Sequence, residues 1–214
     1  MRLACSVVAI ELRGSKFEMK NISRLRSFIT SFTQLVDESD NNEERIFVDG
    51  KKLLSELISN DDWLPEAFAK PHPDNYQQYL LHCDPLQRFS VVSFVWSAGH
   101  HTPIHDHTVW GMIGVLRGVE TCKEYALSDD GKQLKAGWQH DLRVGDIDLV
   151  SPTVGDIHEV VNAQEEGVTI SIHVYGANIG AVRRNVYDLA TAEKQDFISG
   201  YTNTQIPNVG DVSK

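Results

Sequence analysis

Downstream of Pro73 the apolar residues stop recurring at helical spacing. They fall instead into short runs, "RFSVVSFVWS", "GMIGVLRGVETCKEYAL", "HDLRVGDIDLVSP", "HEVVNA" and "VTISIHVYG", separated by Gly, Pro, Asn and Asp. No helix-length pattern alternates with these runs, so a parallel sheet with crossover helices is not expected and antiparallel pairing is. Short antiparallel strands in this number shield their edges by closing on themselves, which predicts a mainly β, jelly-roll barrel. Upstream, Ile22, Leu25, Phe28, Ile29, Phe32, Leu35 and Val36 form one apolar stripe on a helix ending near Asp40. A second helical pattern with Leu53, Leu54, Leu57 and Ile58 lies between Asn42 and Asn60, and "DDWLPEAFAK" holds a short third turn. The expected organisation is one domain over residues 21–200, with helices over about 21–72 packed against a barrel over about 73–190. Residues 201–214 read as a loosely held tail and residues 1–20 as an extension, with Met19 as an alternative start.

Composition narrows the partners. A formal charge of −10 argues against nucleic acid or an anionic membrane surface, since both require a basic field. No segment is long enough to span a bilayer. Cys5, Cys83 and Cys122 are odd in number and form neither a disulfide framework nor a Cys-x-x-Cys pair, which points to a reducing cytoplasm. "MRLACSVVAI" fails as a lipoprotein signal because its apolar run follows Cys5 instead of preceding it. The expected ligands are small molecules, and the expected state is a monomer or small homo-oligomer.

Residues 99–111, "GHHTPIHDHTVWG", carry four histidines. On an extended segment His105 and His107 point to the same side with Asp106 turned outward, and antiparallel pairing with the strand opened by His158 brings in a third imidazole. Three neutral nitrogens on one face suit Fe, Zn, Cu or Ni. His72, His82 and His140 read as surface or hydrogen-bonded histidines, and His100 and His101 lie beside the site or face solvent. On the last strong strand Ser171, His173 and Tyr175 alternate and face the same interior, forming a hydrogen-bonded relay toward the metal. Trp110 and Met112 read as core.

The framing of these histidines resembles the two motifs of the cupin superfamily, G-x5-H-x-H-x3-4-E-x6-G and G-x5-P-x-G-x2-H-x3-N. The first matches from Gly99 through His107 and in the Gly111 to Gly118 spacing; the second matches at His158 and Asn162, with one extra residue on either side of Pro152. The motif's glutamate is Gly111 here, so a divalent ion held by three imidazoles keeps its full charge and about three open positions, favouring an anionic substrate such as a thiolate.

With the Ser-His-Tyr stripe added, the chain from about residue 21 to 190 resembles the thiol dioxygenases, the cysteine dioxygenase family of cupins. That resemblance implies one ferrous iron on His105, His107 and His158, O2 as co-substrate, transfer of both oxygen atoms to a thiol sulfur to give a sulfinic acid, and Ser171, His173 and Tyr175 as the supporting triad. The cysteine that the mammalian-type members link to the tyrosine is Gly111 here, and their carboxylate-binding arginine is Gln78, with Tyr76 before it. Together with "HDHTVWG" and "GAVRR", these departures are similar to the bacterial branch that oxidises 3-mercaptopropionate. The resemblance implies Arg184 at the substrate carboxylate and Gln78 as a neutral partner in the pocket. L-cysteine as substrate, a zinc or nickel hydrolase or isomerase in the same cup, and a non-catalytic effector-sensing cupin are the alternatives.

Overall fold

The computed structural model describes residues 22–210. The extension over 1–20, Met19 as a start, and Cys5 lie outside them, as do residues 211–214. Two helices come first, α1 (Ser23–Ser39) and α2 (Glu43–Ile58), followed by a single 3-10 turn at Glu66–Phe68 where "DDWLPEAFAK" predicted one. Helix α1 ends on Asp40 in the left-handed conformation, and Asn42 caps α2 by accepting a hydrogen bond from the Arg45 backbone N–H at 2.9 Å. Ten strands follow: β1 (Gln77–Cys83), β2 (Ser90–Trp96), β3 (Gly111–Arg117), β4 (Val119–Leu127), β5 (Leu134–Arg143), β6 (Ile147–Val150), β7 (Ile157–Asn162), β8 (Thr169–Tyr175), β9 (Arg184–Tyr187) and β10 (Lys194–Phe197). Glycines in the left-handed region break the long apolar runs into pairs, Gly118 between β3 and β4 and Gly145 between β5 and β6.

The fold is mainly β, with all paired strands antiparallel, as the strand spacing predicted. One layer is a five-stranded sheet in the order β1-β2-β8-β3-β6, and the other is built on β5-β4-β7. The histidine segment extends the second layer: His101 and His105 bridge to Val161 and His158 of β7, and His105 bridges on its far side to Val186 of β9, which pairs with β10. The central strands β2 and β8 are buried on both faces. Outward-facing Val91, Val95, Ile170, Ile172 and Val174 pack with Phe28, Phe32, Leu54 and Leu57 of the helices in one core. Inward-facing Val92, Phe94 and Trp96 meet Val160 and Tyr175 between the layers. This double burial explains why these strands read as nearly continuous apolar runs, and it leaves Ser171, His173 and Tyr175 as the polar inner face of β8.

Residues 201–203 pair with β1. Thr202 donates its backbone N–H to Gln78 O at 2.8 Å, and the Asn203 side chain bonds both the N–H and the carbonyl of Leu80 at 2.8 and 2.9 Å. Residues 199–203 thus cover the free edge of β1, an edge that would otherwise expose unpaired backbone groups.

Candidate metal centre and adjoining cavity

His105, His107 and His158 come together as the alternation and pairing arguments predicted. The backbone does the positioning: His105 N donates to His158 O at 2.9 Å and His158 N to His105 O at 3.0 Å, so the two segments are locked residue against residue. The three ring centroids stand 4.9 Å apart in each pair, and one nitrogen from each ring lies within 4.8 Å of the others. All three residues are buried.

Each Nδ1 is already engaged. That of His105 donates to Pro103 O at 3.0 Å, that of His107 to Asp156 Oδ1 at 3.0 Å, and that of His158 faces Cys122 Sγ at 3.3 Å. The acceptors beside His105 and His107 leave their Nε2 lone pairs free for an ion, and the His158 Nε2 joins them when its Nδ1 carries the proton, the arrangement by which proteins orient imidazole ligands. The donor set therefore fits a divalent transition metal. Asp156 also accepts the backbone N–H groups of His107 and Thr108 at 3.0 and 2.9 Å. Burial opposes its charge, but the His107 bond and these N–H groups outweigh it and bring the carboxyl below its usual range.

Asp106 is a correction. Alternation turned it outward, but it is buried, accepting from Asn185 N at 2.8 Å, Asn185 Nδ2 at 2.7 Å and Tyr187 Oη at 2.7 Å. The reason is β9, which covers the face that an isolated barrel would leave to solvent.

Burial, reinforced by repulsion from His107, holds His105 down to about 3, and burial likewise keeps His158 and His173 well below the usual value. These rings are neutral in the folded chain but titrate near 6.5 when unfolded. Unfolding therefore takes up protons below that value, and the metal-free protein is expected to lose stability progressively as pH falls from about 6.5 toward 3. Calorimetric melting across that range measures the loss. A slope unchanged by His173→Gln would contradict this assignment.

Ser171, His173 and Tyr175 form one chain of hydrogen bonds, with Ser171 Oγ to His173 Nε2 at 2.8 Å and His173 Nδ1 to Tyr175 Oη at 2.8 Å. Trp96 Nε1 donates to Ser171 Oγ at 3.3 Å and fills one of its lone pairs. The Tyr175 ring stacks on His107 at 5.4 Å between centroids, which sets the phenol beside the three-histidine cluster. Gly111 pairs with Tyr175 across β3 and β8, and a Cβ there would lie 2.8 Å from the Tyr175 ring. The phenol takes this position because residue 111 has no side chain.

A cavity of about 480 Å³ opens beside His105, lined by Tyr76, Gln78, Phe94, Arg184 and Tyr201 among others. Arg184, whose direction the sequence left open, begins β9 and faces this space. It is buried, lies over the Phe197 ring at 4.6 Å and donates from Nη2 to Ser199 Oγ at 2.7 Å, while its Nε has no partner. Gln78 reaches the same Ser199 hydroxyl at 3.0 Å and Gly200 O at 2.8 Å. Among the described residues no carboxylate makes an ion pair with Arg184, and no acidic side chain lines the cavity.

Sequence reasoning missed Asp156, Cys122, Ser199 and Glu120. Asp156 carried a signal, an acid two residues before a ligand in "GDIH"; the others belong to segments whose partners are distant in the chain. Glu120 on β4 is fully buried. Burial pushes its carboxyl up to about 7, and although the Ser171 hydroxyl stands beside it, neither carboxyl oxygen completes a hydrogen bond.

No family model matches the chain. A stretch of 85 residues is 34% identical to crossover junction endonuclease MMS4 of Saccharomyces cerevisiae, covering 40% of this chain and 12% of that protein. The chain thus spans a small part of the length of the curated relative it matches. Among solved structures, oxalate oxidase in complex with the substrate analogue glycolate is similar with a TM-score of 0.41 and 16% identity, over 50% of this chain and 53% of that one. A protein with a double-stranded beta-helix domain from Klebsiella pneumoniae gives a TM-score of 0.41 and 19% identity, over 53% of this chain and 83% of that one. A Cupin 2 conserved barrel domain protein from Salinispora arenicola gives a TM-score of 0.39 and 19% identity, over 54% and 86%. No helix among the described residues is long and apolar enough to cross a membrane.

Proposed function

We propose that the chain is a thiol dioxygenase of the cupin type, which uses ferrous iron and O2 to oxidise 3-mercaptopropionate to 3-sulfinopropionate. The observation that carries this reading is a buried guanidinium without a carboxylate partner in the same cavity as His105, one of three imidazoles whose Nε2 atoms are all free. Burial opposes the Arg184 charge and outweighs the pull of nearby Asp106, and an anionic substrate relieves that cost. Arg184 offers a planar fork suited to a carboxylate, and Gln78, held through Ser199, keeps that fork in place.

Iron bound by the three histidines would supply the redox chemistry that joins a thiol to O2, and its open positions the place where the two meet. The residues do the rest. Arg184 sets one end of the substrate, so the sulfur at the other end is held toward the imidazoles. In the tautomer with the His173 proton on Nδ1, Ser171 donates to Nε2, Nδ1–H donates to the Tyr175 oxygen, and the phenolic proton is left to point away from His173, on the side of the three histidines. Burial raises the Tyr175 phenol, so it stays protonated and serves as a donor to negative charge developing on oxygen.

The absence of acidic side chains from the cavity also favours a thiol carboxylate over cysteine, whose ammonium group would find no counter-charge beside Arg184. Oxygen-electrode measurements on the Fe(II)-loaded protein are the test. One O2 consumed per thiol, with kcat/KM for 3-mercaptopropionate above that for L-cysteine by about tenfold or more, is expected. The reverse preference overturns the substrate, and turnover by zinc-loaded protein without oxygen overturns the reaction.

A further inference from the structure

Beside the three-histidine site, a second set of metal-ligating side chains meets where the edges of the two sheets approach each other. Cys122 of β4 and His140 of β5 are direct cross-strand partners, and Asp148 lies on β6, the edge strand of the other sheet. His140 Nε2 and Asp148 Oδ2 are 3.1 Å apart, and the sulfur, one imidazole nitrogen and one carboxylate oxygen all lie within 4.8 Å of one another. His140, expected to be an ordinary hydrogen-bonded histidine, is therefore one corner of a Cys-His-Asp triangle. Trp138 stacks on its ring at 4.1 Å and holds it over a cleft of about 710 Å³ that reaches solvent past Lys51 and Ser55.

The charges around this triangle are also unbalanced. Among the described residues, the buried side-chain polar atoms without a hydrogen-bond partner are Arg184 Nε, His140 Nδ1 and both Glu120 oxygens. Arg184 belongs to the thiol cavity, His140 Nδ1 is the second nitrogen of the triangle's own imidazole, and Glu120 stands beside Ser171 within charge range of Asp148. Glu120 projects from β4 on the same buried face as Cys122, two residues away, and lies close enough to Asp148 for the two charges to repel. No lysine or arginine among the described residues makes an ion pair with Glu120 or Asp148. A cation held by Cys122, His140 and Asp148 would offset the repulsion between Asp148 and Glu120.

We propose that Cys122, His140 and Asp148 form a second metal site, for a borderline divalent cation of the Zn2+ class, that ties the edge of one sheet to the edge of the other. The ligand types select the metal. One thiolate, one imidazole and one carboxylate suit a tetrahedral ion with bonds of about 2.0–2.3 Å, and a water from the open cleft completes the fourth position. Binding replaces the Cys122 thiol proton with the metal and releases that proton to solvent. The thiolate still faces His158 Nδ1 at 3.3 Å and accepts its hydrogen, so this site adjoins the three-histidine centre through one shared hydrogen bond. The inference does not depend on the thiol chemistry proposed above.

The test is titration with Co2+, whose thiolate complexes absorb in the near ultraviolet. In metal-free full-length chain carrying His105→Ala and His107→Ala, one equivalent of Co2+ is expected to bind with a thiolate-to-cobalt band and to raise the melting temperature. Adding Cys122→Ser, a close match in size, removes the band. His140→Gln, close to the surface, weakens Co2+ binding by about 100-fold or more and abolishes the rise in melting temperature. A protein that shows no band before these additions, or that keeps it with Cys122→Ser or binds equally well with His140→Gln, overturns the site.

Discussion

Replacing His158 with alanine is expected to strip the protein of iron and bring oxygen uptake to background while leaving the fold intact. Among the described residues the imidazole supplies one of three donors, and no carboxylate is grouped with them to take its place. Loss of a partner behind a metal ligand typically weakens binding by 10–100-fold, so loss of the ligand itself should cost about 100-fold or more. The fold survives because the bonds that join the two segments, His105 N to His158 O and His158 N to His105 O, are made by backbone and need no imidazole. Iron content after desalting and the thermal melt of the metal-free protein separate the two effects. Asp156→Asn provides the graded comparison, since it removes no ligand but disturbs the hydrogen bonds that hold His107 and should fall between the parent and His158→Ala. Full iron retention in His158→Ala would refute the three-histidine centre.

The second large effect concerns Arg184. Arg184→Leu is expected to lower kcat/KM for 3-mercaptopropionate by between about 30-fold and a few thousand-fold, the range that corresponds to ~2–5 kcal/mol for removing one partner of a buried charge pair. Arg184→Lys should recover part of the loss, because an ammonium keeps the charge but lacks the flat fork that meets both carboxylate oxygens. The decisive comparison is cysteamine, a thiol without a carboxylate. Its turnover, low in the parent, should fall little in Arg184→Leu. Steady-state kinetics with both thiols reads this directly, and an equal fractional loss for the two would show that Arg184 supports the cavity without touching substrate.

The legible and illegible parts of this chain divide along physical lines. The helices were readable because Leu25, Phe28, Phe32 and Val36 repeat at the period of one helical face, and the observed α1 buries those positions. The strands β2 and β8 were readable as apolar runs, although the cause, helices on one side and the site on the other, was not. Strands β9 and β10 left little trace, since "RNVY" and "KQDF" are short, polar and half-exposed. Their effect on the site is nonetheless large: β9 buries Asp106, aims Arg184 and closes the histidine segment from outside.

What the sequence determined by itself was whatever depends on local period and spacing: two amphipathic helices, an antiparallel barrel, His105 and His107 on one side of an extended segment, and Ser171, His173 and Tyr175 on one side of a strand. Only the tertiary structure decided the contacts between segments far apart in the chain, which include Asp156 against His107, Ser199 beneath Arg184 and Gln78, and Cys122 between His158 and the His140–Asp148 pair. The physical reason is that a strand's alternation fixes which face a side chain takes but not what stands opposite, and the opposite partner is set by which sheet edge or covering loop the rest of the chain brings there.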